Sequence, residues 1–183
     1  MGKPDTNKKE RRKLNPALKF ILSFIVILII SGFSYAYVTA SQIDKMESFL
    51  EFITTITGGA ASLFSEEVQY YNKVIIYKSF SVEIIDECTG LLEIIIYLSA
   101  VLAFSTTIKK KLIGLAIGIP TIFIFNIIRI FVLLFIGANS KSLFDFMHLY
   151  FWQATLILMI GTIWIGWLYL VVFREKRSAD ISN

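Results

Sequence analysis

The chain has 183 residues, of which 56% are hydrophobic, 15% aromatic and only 17% charged. Soluble domains run at about 45–50% apolar and about 25% charged. The composition therefore excludes a disordered chain and an ordinary cytosolic domain, and the length fits one domain. One cysteine excludes an internal disulfide and any multi-cysteine metal or iron–sulfur site, and one histidine excludes a His-rich metal site. No cofactor and no metal is expected. The net charge of +4 does not form a nucleic-acid patch, because its distribution follows membrane orientation, as shown below.

In chain order, a basic tail (1–16) precedes an apolar run from about Ala17 to Val38, long enough to cross a bilayer, which takes roughly 20 helical residues. Val38-Thr39-Ala40 resembles a signal-peptide cleavage site. The apolar run exceeds an ordinary signal core, so an uncleaved anchor is expected. Residues 41–87 form the one sizeable polar segment. Within it Ile43, Met46, Leu50, Ile53 and Ile56 recur every three or four residues, the pattern of an amphipathic helix on a membrane surface, and Gly58-Gly59 is expected to end it. Val74–Tyr77 and Phe80–Ile85, separated by Lys78-Ser79, read as a β-hairpin. Three further spans follow, over 89–104, 112–136 and 146–173, before a short tail (174–183). The predicted fold is an α-helical integral membrane protein of about four transmembrane helices. It carries a small extracytoplasmic amphipathic helix and hairpin.

Charge orients these spans. Residues 1–19, 109–111 and 174–183 hold thirteen Lys/Arg against four Asp/Glu, whereas 40–87 and 137–145 hold four against nine. Positively charged loops stay in the cytoplasm. Both termini and Lys109–Lys111 are therefore expected inside, and residues 41–87 outside.

Three unusual side chains then fall at one depth. Cys88 is at the outer mouth of the second span, expected in the first turn of its helix, where free N–H groups and the dipole favour a thiolate. Asp86 and Glu87 oppose that ionisation, and one of them is a candidate helix cap. Arg129 lies about 26 Å along the third span from Leu112, near the outer boundary. It either snorkels to headgroups or faces a polar pocket. Asn126, three residues earlier on the same helical face, is a candidate to hold the guanidinium. His148 opens the fourth span, with Asp145 three residues earlier as a candidate hydrogen-bond acceptor to fix its tautomer. Each has an ordinary structural explanation taken singly. Together a thiol, an imidazole and a cationic donor suffice for acyl transfer. Glu93, about 140° around a helix from Cys88, does not obviously join them and reads as a structural partner of another polar group. The competing class is a non-enzymatic scaffold or transporter subunit, with Glu93 and Arg129 as a structural polar network.

The combination Glu87-Cys-Thr-Gly90, Asn126-Ile-Ile-Arg129 within an apolar span, and a downstream His148 resembles the exosortase/archaeosortase family of membrane transpeptidases. The resemblance runs from about Val74 to Phe173, with fewer spans than the larger members. It implies a nucleophilic Cys88 partnered by Arg129 and His148, and a thioester intermediate. The implied substrates are membrane-anchored proteins bearing a C-terminal signal of short motif, apolar helix and basic tail. The new C-terminus would pass to an acceptor, for some members a membrane lipid. No nucleic-acid partner is implied.

The orientation has a direct check. On intact cells, Lys110→Cys should be shielded from a membrane-impermeant thiol reagent. Labelling at that position would invert the topology.

Overall fold

A computed structural model describes residues 15–173. Helix α1 (Pro16–Ser41) starts where the Asn15 side chain accepts from the Ala17 N–H, with Pro16 in the first turn. Both features suit a helix start, since the first N–H groups have no partner within the helix. Helix α2 (Ile43–Ser62) follows almost at once. Strands β1 (Val68–Tyr71), β2 (Val74–Tyr77) and β3 (Phe80–Glu83) form an antiparallel sheet in the order β1-β2-β3. A 3₁₀ turn (Asp86–Cys88) leads into α3 (Leu91–Ala103). Helices α4 (Ile108–Asn139) and α5 (Lys141–Phe146) follow, then a π-helical segment (Met147–Phe151), α6 (Trp152–Trp167) and a second π segment (Leu168–Phe173).

The protein is mostly helical and multi-pass. Three stretches are long and apolar enough to cross a membrane: Pro16–Ser41, Ile108–Asn139 and Lys141–Phe173. The fourth apolar helix, α3, has only 13 residues and rises about 20 Å. It is packed by α1, α4 and α6. Its fully buried Tyr97 donates a 2.9 Å hydrogen bond to the Gly114 carbonyl of α4. At the end remote from the sheet, Trp167 Nε1 donates to the Lys110 carbonyl (2.8 Å) and Lys111 Nζ to the Leu102 carbonyl (2.6 Å).

The sheet contains the expected hairpin. Its last strand stops at Glu83 rather than Ile85, and it also contains β1, which was not expected and in which Gln69, Tyr70 and Tyr71 are exposed. Register sets Val68 opposite Tyr77, and Ile75 opposite both Tyr70 and Val82. The period of two then gives one inward face of Val68, Tyr70, Ile75, Tyr77, Phe80 and Val82. This face packs on α2 and α4, with Leu50, Ile53, Ile130 and Leu134 in the same core. Gly58-Gly59 does not end α2, which continues to Ser62. The helix passes so close to β1 that a Cβ at Gly58 would sit 2.5 Å from the Tyr70 ring. Gly58 is therefore a contact residue rather than a breaker.

A similar close approach joins α3 to α4, where a Cβ on Gly118 would lie 2.2 Å from the Tyr97 ring. Gly118→Ala should destabilise the protein by about 1–3 kcal/mol, the usual cost of overpacking, read as thermal unfolding in detergent. Gly161→Ala, with open space around its Cβ, should be neutral or stabilising by up to about 1 kcal/mol.

Candidate active site

Cys88 occupies the last position of the 3₁₀ turn, not the first turn of α3. The cause is local. Thr89 donates from its hydroxyl to the Asp86 carbonyl (2.6 Å) and accepts at that oxygen from the Leu91 N–H (3.3 Å). Gly90 then takes φ +80°, a left-handed conformation that glycine adopts without steric cost. The chain turns at Gly90 and α3 starts afresh at Leu91. The hydroxyl of Thr89, not Asp86 or Glu87, serves the helix start.

Asn126 of α4 is fully buried against this turn. Its side-chain amide donates to the Cys88 carbonyl. A Cβ on Gly90 would sit 3.2 Å from the Asn126 Cβ, so the glycine also makes room for the amide. Asn126 therefore holds the cysteine's backbone rather than the Arg129 guanidinium. The amide nitrogen donates to Cys88, and Oδ1, the atom that could accept from a guanidinium, is buried without a partner.

Arg129 is 8% exposed. No hydrogen bond or ion pair within the described residues reaches its guanidinium, and its buried Nε has no partner. It lines a cavity of about 470 Å³ together with His148, Glu87, Glu93 and Gln153. The lower walls of that cavity are aliphatic residues of α3 and α6. Arg129 and His148 are close enough for the arginine's charge to be felt at the ring. Glu93 thus shares a cavity with Arg129 and His148, where a count of helical angle from Cys88 set it apart. The count fails because Gly90 interrupts the helix between them. Glu93 and Arg129 do not form an ion pair. The signal that marks Glu93 is a carboxylate within an apolar span.

The Cys88 side chain does not line the cavity, although Glu87 beside it does. It is buried in the apolar cluster with Ile84, Ile130 and Leu134. Burial pushes the thiol above its ordinary pKa. The Ile85 backbone hydrogen bond and the Arg129 charge oppose this, and Glu87 and Asp86 reinforce it. The resting thiol is therefore protonated and sheltered.

His148 sits in the π-helical segment, a rare helix type found mostly as single-turn bulges within α-helices and frequently at functional sites. Its ring stacks on Phe144 at 5.4 Å between centroids, nearly parallel. Phe144 meets Phe80 of β3 edge-on at 5.0 Å, and Phe80 lies against Gly137 of α4. Asp145 is near enough for its charge to reach the ring, but no hydrogen bond joins them, and Nδ1 is unpartnered. The ring is oriented by stacking on the residue four before it rather than by the carboxylate three before it. Among the described residues no cluster of metal-ligating side chains occurs.

A short apolar bundle thus carries a clamped cysteine turn and a buried, unpaired arginine facing a histidine across one cavity. These features define a polytopic membrane protein with a cavity lined by an arginine and a histidine beside a buried cysteine turn. The sequence from residue 15 to 167 matches the model of the transmembrane exosortase (EpsH) family, and the chain belongs to that family. Membership implies a membrane transpeptidase role. No curated protein and no solved structure matches the chain.

The thiol's environment has a measurable consequence. Alkylation of Cys88 in the folded protein should rise with pH along a curve displaced above that of a free cysteine, because burial disfavours the thiolate. Arg129→Gln removes the positive charge that favours the thiolate and should displace the curve further upward. A downward displacement would contradict the assigned proximity.

Proposed function

We propose that the protein is a cysteine transpeptidase that cleaves exported, membrane-anchored proteins bearing a C-terminal sorting signal. Its cavity faces the outside of the cell membrane, and both termini lie in the cytoplasm. The observation that carries this reading is the pairing made by α4. Asn126 grips the Cys88 turn, and Arg129, one helical turn later, presents an unpaired guanidinium in the cavity that His148 shares. Family membership supports the same chemistry.

The proposed first step is attack of the Cys88 sulfur on the scissile carbonyl. Arg129 holds the developing oxyanion through its planar fork of donors. His148 receives the thiol proton and gives it to the leaving amine as the C–N bond breaks. The product is a thioester on Cys88. An acceptor amine, or water, then takes the acyl group and restores the thiol. Because Cys88 is buried in the resting state, its side chain must rotate out of the apolar cluster for the sulfur to meet the substrate, while Asn126 holds the backbone.

Substitutions separate the roles. Cys88→Ala should abolish processing while the protein still inserts and folds. Cys88→Ser should also be severely impaired, because a serine hydroxyl stays protonated where a thiol can ionise. His148→Ala should slow processing by about 10²–10⁴, the usual worth of general acid–base catalysis. Arg129→Lys keeps the charge but loses the fork, and should lose most activity. Processing is read as the mobility shift of a co-expressed substrate. Full processing by Cys88→Ala would end the enzymatic reading, and wild-type rates from Arg129→Lys would remove the oxyanion role.

A further inference from the structure

Strand β3 is an edge of the sheet, with β2 on one side and no strand on the other. Its pairing decides which backbone groups are left over. Tyr77 and Phe80 close a two-residue hairpin, and Ile75 lies opposite Val82. The Ile84 N–H continues the series with a 2.7 Å bond to the Lys73 carbonyl. Along an antiparallel ladder alternate residues turn their N–H and C=O groups to opposite sides. Phe80, Val82 and Ile84 therefore face β2, and Ser81, Glu83 and Ile85 face away from it. Within the described residues no hydrogen bond outside the ladder reaches the N–H groups of these three, or the carbonyls of Ser81 and Glu83. The Ile85 carbonyl accepts from the Cys88 N–H (2.9 Å), so the open edge stops where the cysteine turn begins.

The apolar face is also incomplete along this edge. Ile75 and Tyr77 of β2 are buried, whereas Phe80 and Val82 on the same face are only partly covered. Ser81 and Glu83, on the opposite face, are exposed. An added strand would pair the open groups and lay alternate side chains beside Phe80 and Val82, the usual way in which an extended peptide joins a sheet edge. From Ser81 to Ile85 the edge runs about 13 Å, room for about five peptide residues. The other edge, β1, packs on α2 and is two strands removed from the cysteine turn.

We infer that the β3 edge binds the extended segment of the protein substrate just ahead of its scissile bond, which joins the sheet as a fourth strand parallel to β3. The inference rests on the transpeptidase reading and adds where, and in which direction, that substrate is held. Direction follows from topology. Strand β3 leads from the outer segment down into the cysteine turn and α3. A substrate whose exported part precedes its anchoring helix descends the same way. Bonds in a parallel pair are slanted and evenly spaced. The peptide residue beside Phe80 accepts from the Ser81 N–H. The residue beside Val82 donates to the Ser81 carbonyl and accepts from the Glu83 N–H. The residue beside Ile84 donates to the Glu83 carbonyl and accepts from the Ile85 N–H. There the edge ends, and the peptide is released toward Glu87 and Arg129 at the cavity. The scissile carbonyl falls within about three residues of the last pair, the length of chain from Ile85 to Cys88.

The test is a disulfide walk on the full chain in intact cells. Cys88→Ala removes the sole cysteine, and Ser81→Cys or Glu83→Cys then supplies one. The probe is a co-expressed exported protein ending in a short motif, an apolar helix and a basic tail, with single cysteines placed in turn along its motif. Ser81→Cys should crosslink one motif position, and Glu83→Cys the position two residues nearer the probe's anchoring helix. The reverse order overturns the inference, as do crosslinks confined to pairs of enzyme copies, or no crosslink to a probe that the wild type processes. Proline supplies a second measurement. At 81 or 83 it removes an N–H that faces away from β2, so the ladder is kept. Ser81→Pro and Glu83→Pro should each lower kcat/KM for the same probe by about tenfold, the worth of one or two hydrogen bonds, at an unchanged unfolding temperature in detergent. Wild-type kcat/KM in both folded variants overturns the inference as well. A wild-type chain that does not process the probe defeats the transpeptidase reading instead, and the crosslinks are then scored on their own.

Discussion

The amide of Asn126 is the contact on which the site depends. It is buried within the bundle and donates to a backbone carbonyl rather than to a side chain. What it fixes is therefore the path of the chain at Cys88, whatever residue stands there. Removing a buried donor leaves a carbonyl without a partner, at about 1–3 kcal/mol. The neighbouring residues accept this contact because Thr89 closes the turn and Gly90 yields the space. The cysteine turn and the arginine belong to different elements, but both are placed by one turn of α4, through Asn126 and Arg129. Rigidity of one helix thereby becomes precision between two groups, as a site built on a rigid element allows.

His148 is placed by a different route. It reaches the cavity through a stack of Phe144 on its ring, and Phe80 against Phe144. Each such ring pair contributes about 0.5–1.5 kcal/mol beyond its area burial. The sheet is thus a support for the histidine, and Gly137 admits the Phe80 ring because it has no side chain. The packing of α2 on β1 through Gly58 and Tyr70 extends this support across the polar segment.

The apolar spans were legible because the bilayer imposes a length on them, and Cys88, Arg129 and His148 were legible because each is a rare residue at a shared depth. The partners of these residues were not. Spacing along a helix put Asn126 with Arg129 and Asp145 with His148; a backbone carbonyl 38 residues away took the Asn126 amide, and the neighbouring i,i+4 pair, Phe144 on His148, prevailed over the i,i+3 pair with Asp145. The helical angle between Cys88 and Glu93 was computed across a glycine with positive φ, where no helix exists. Strand β1 was hidden because two of its residues are exposed tyrosines whose pairing comes only from the neighbouring strand. Periodicity reports faces well. It says little about which element will meet them.

The shortness of α3 bears on the solvent that the chemistry meets. Its 13 residues leave it about 10 Å less than the hydrocarbon thickness of an ordinary bilayer. A membrane accommodates such a deficit by thinning around the short element, at fractions of a kcal/mol per Å. Headgroups and water then descend toward the Asp86–Cys88 turn on the side where the bundle is open. The hydration of the cysteine turn becomes a property of the bilayer as much as of the protein, rising where lipids are short and thin and falling where long chains keep water above the cysteine.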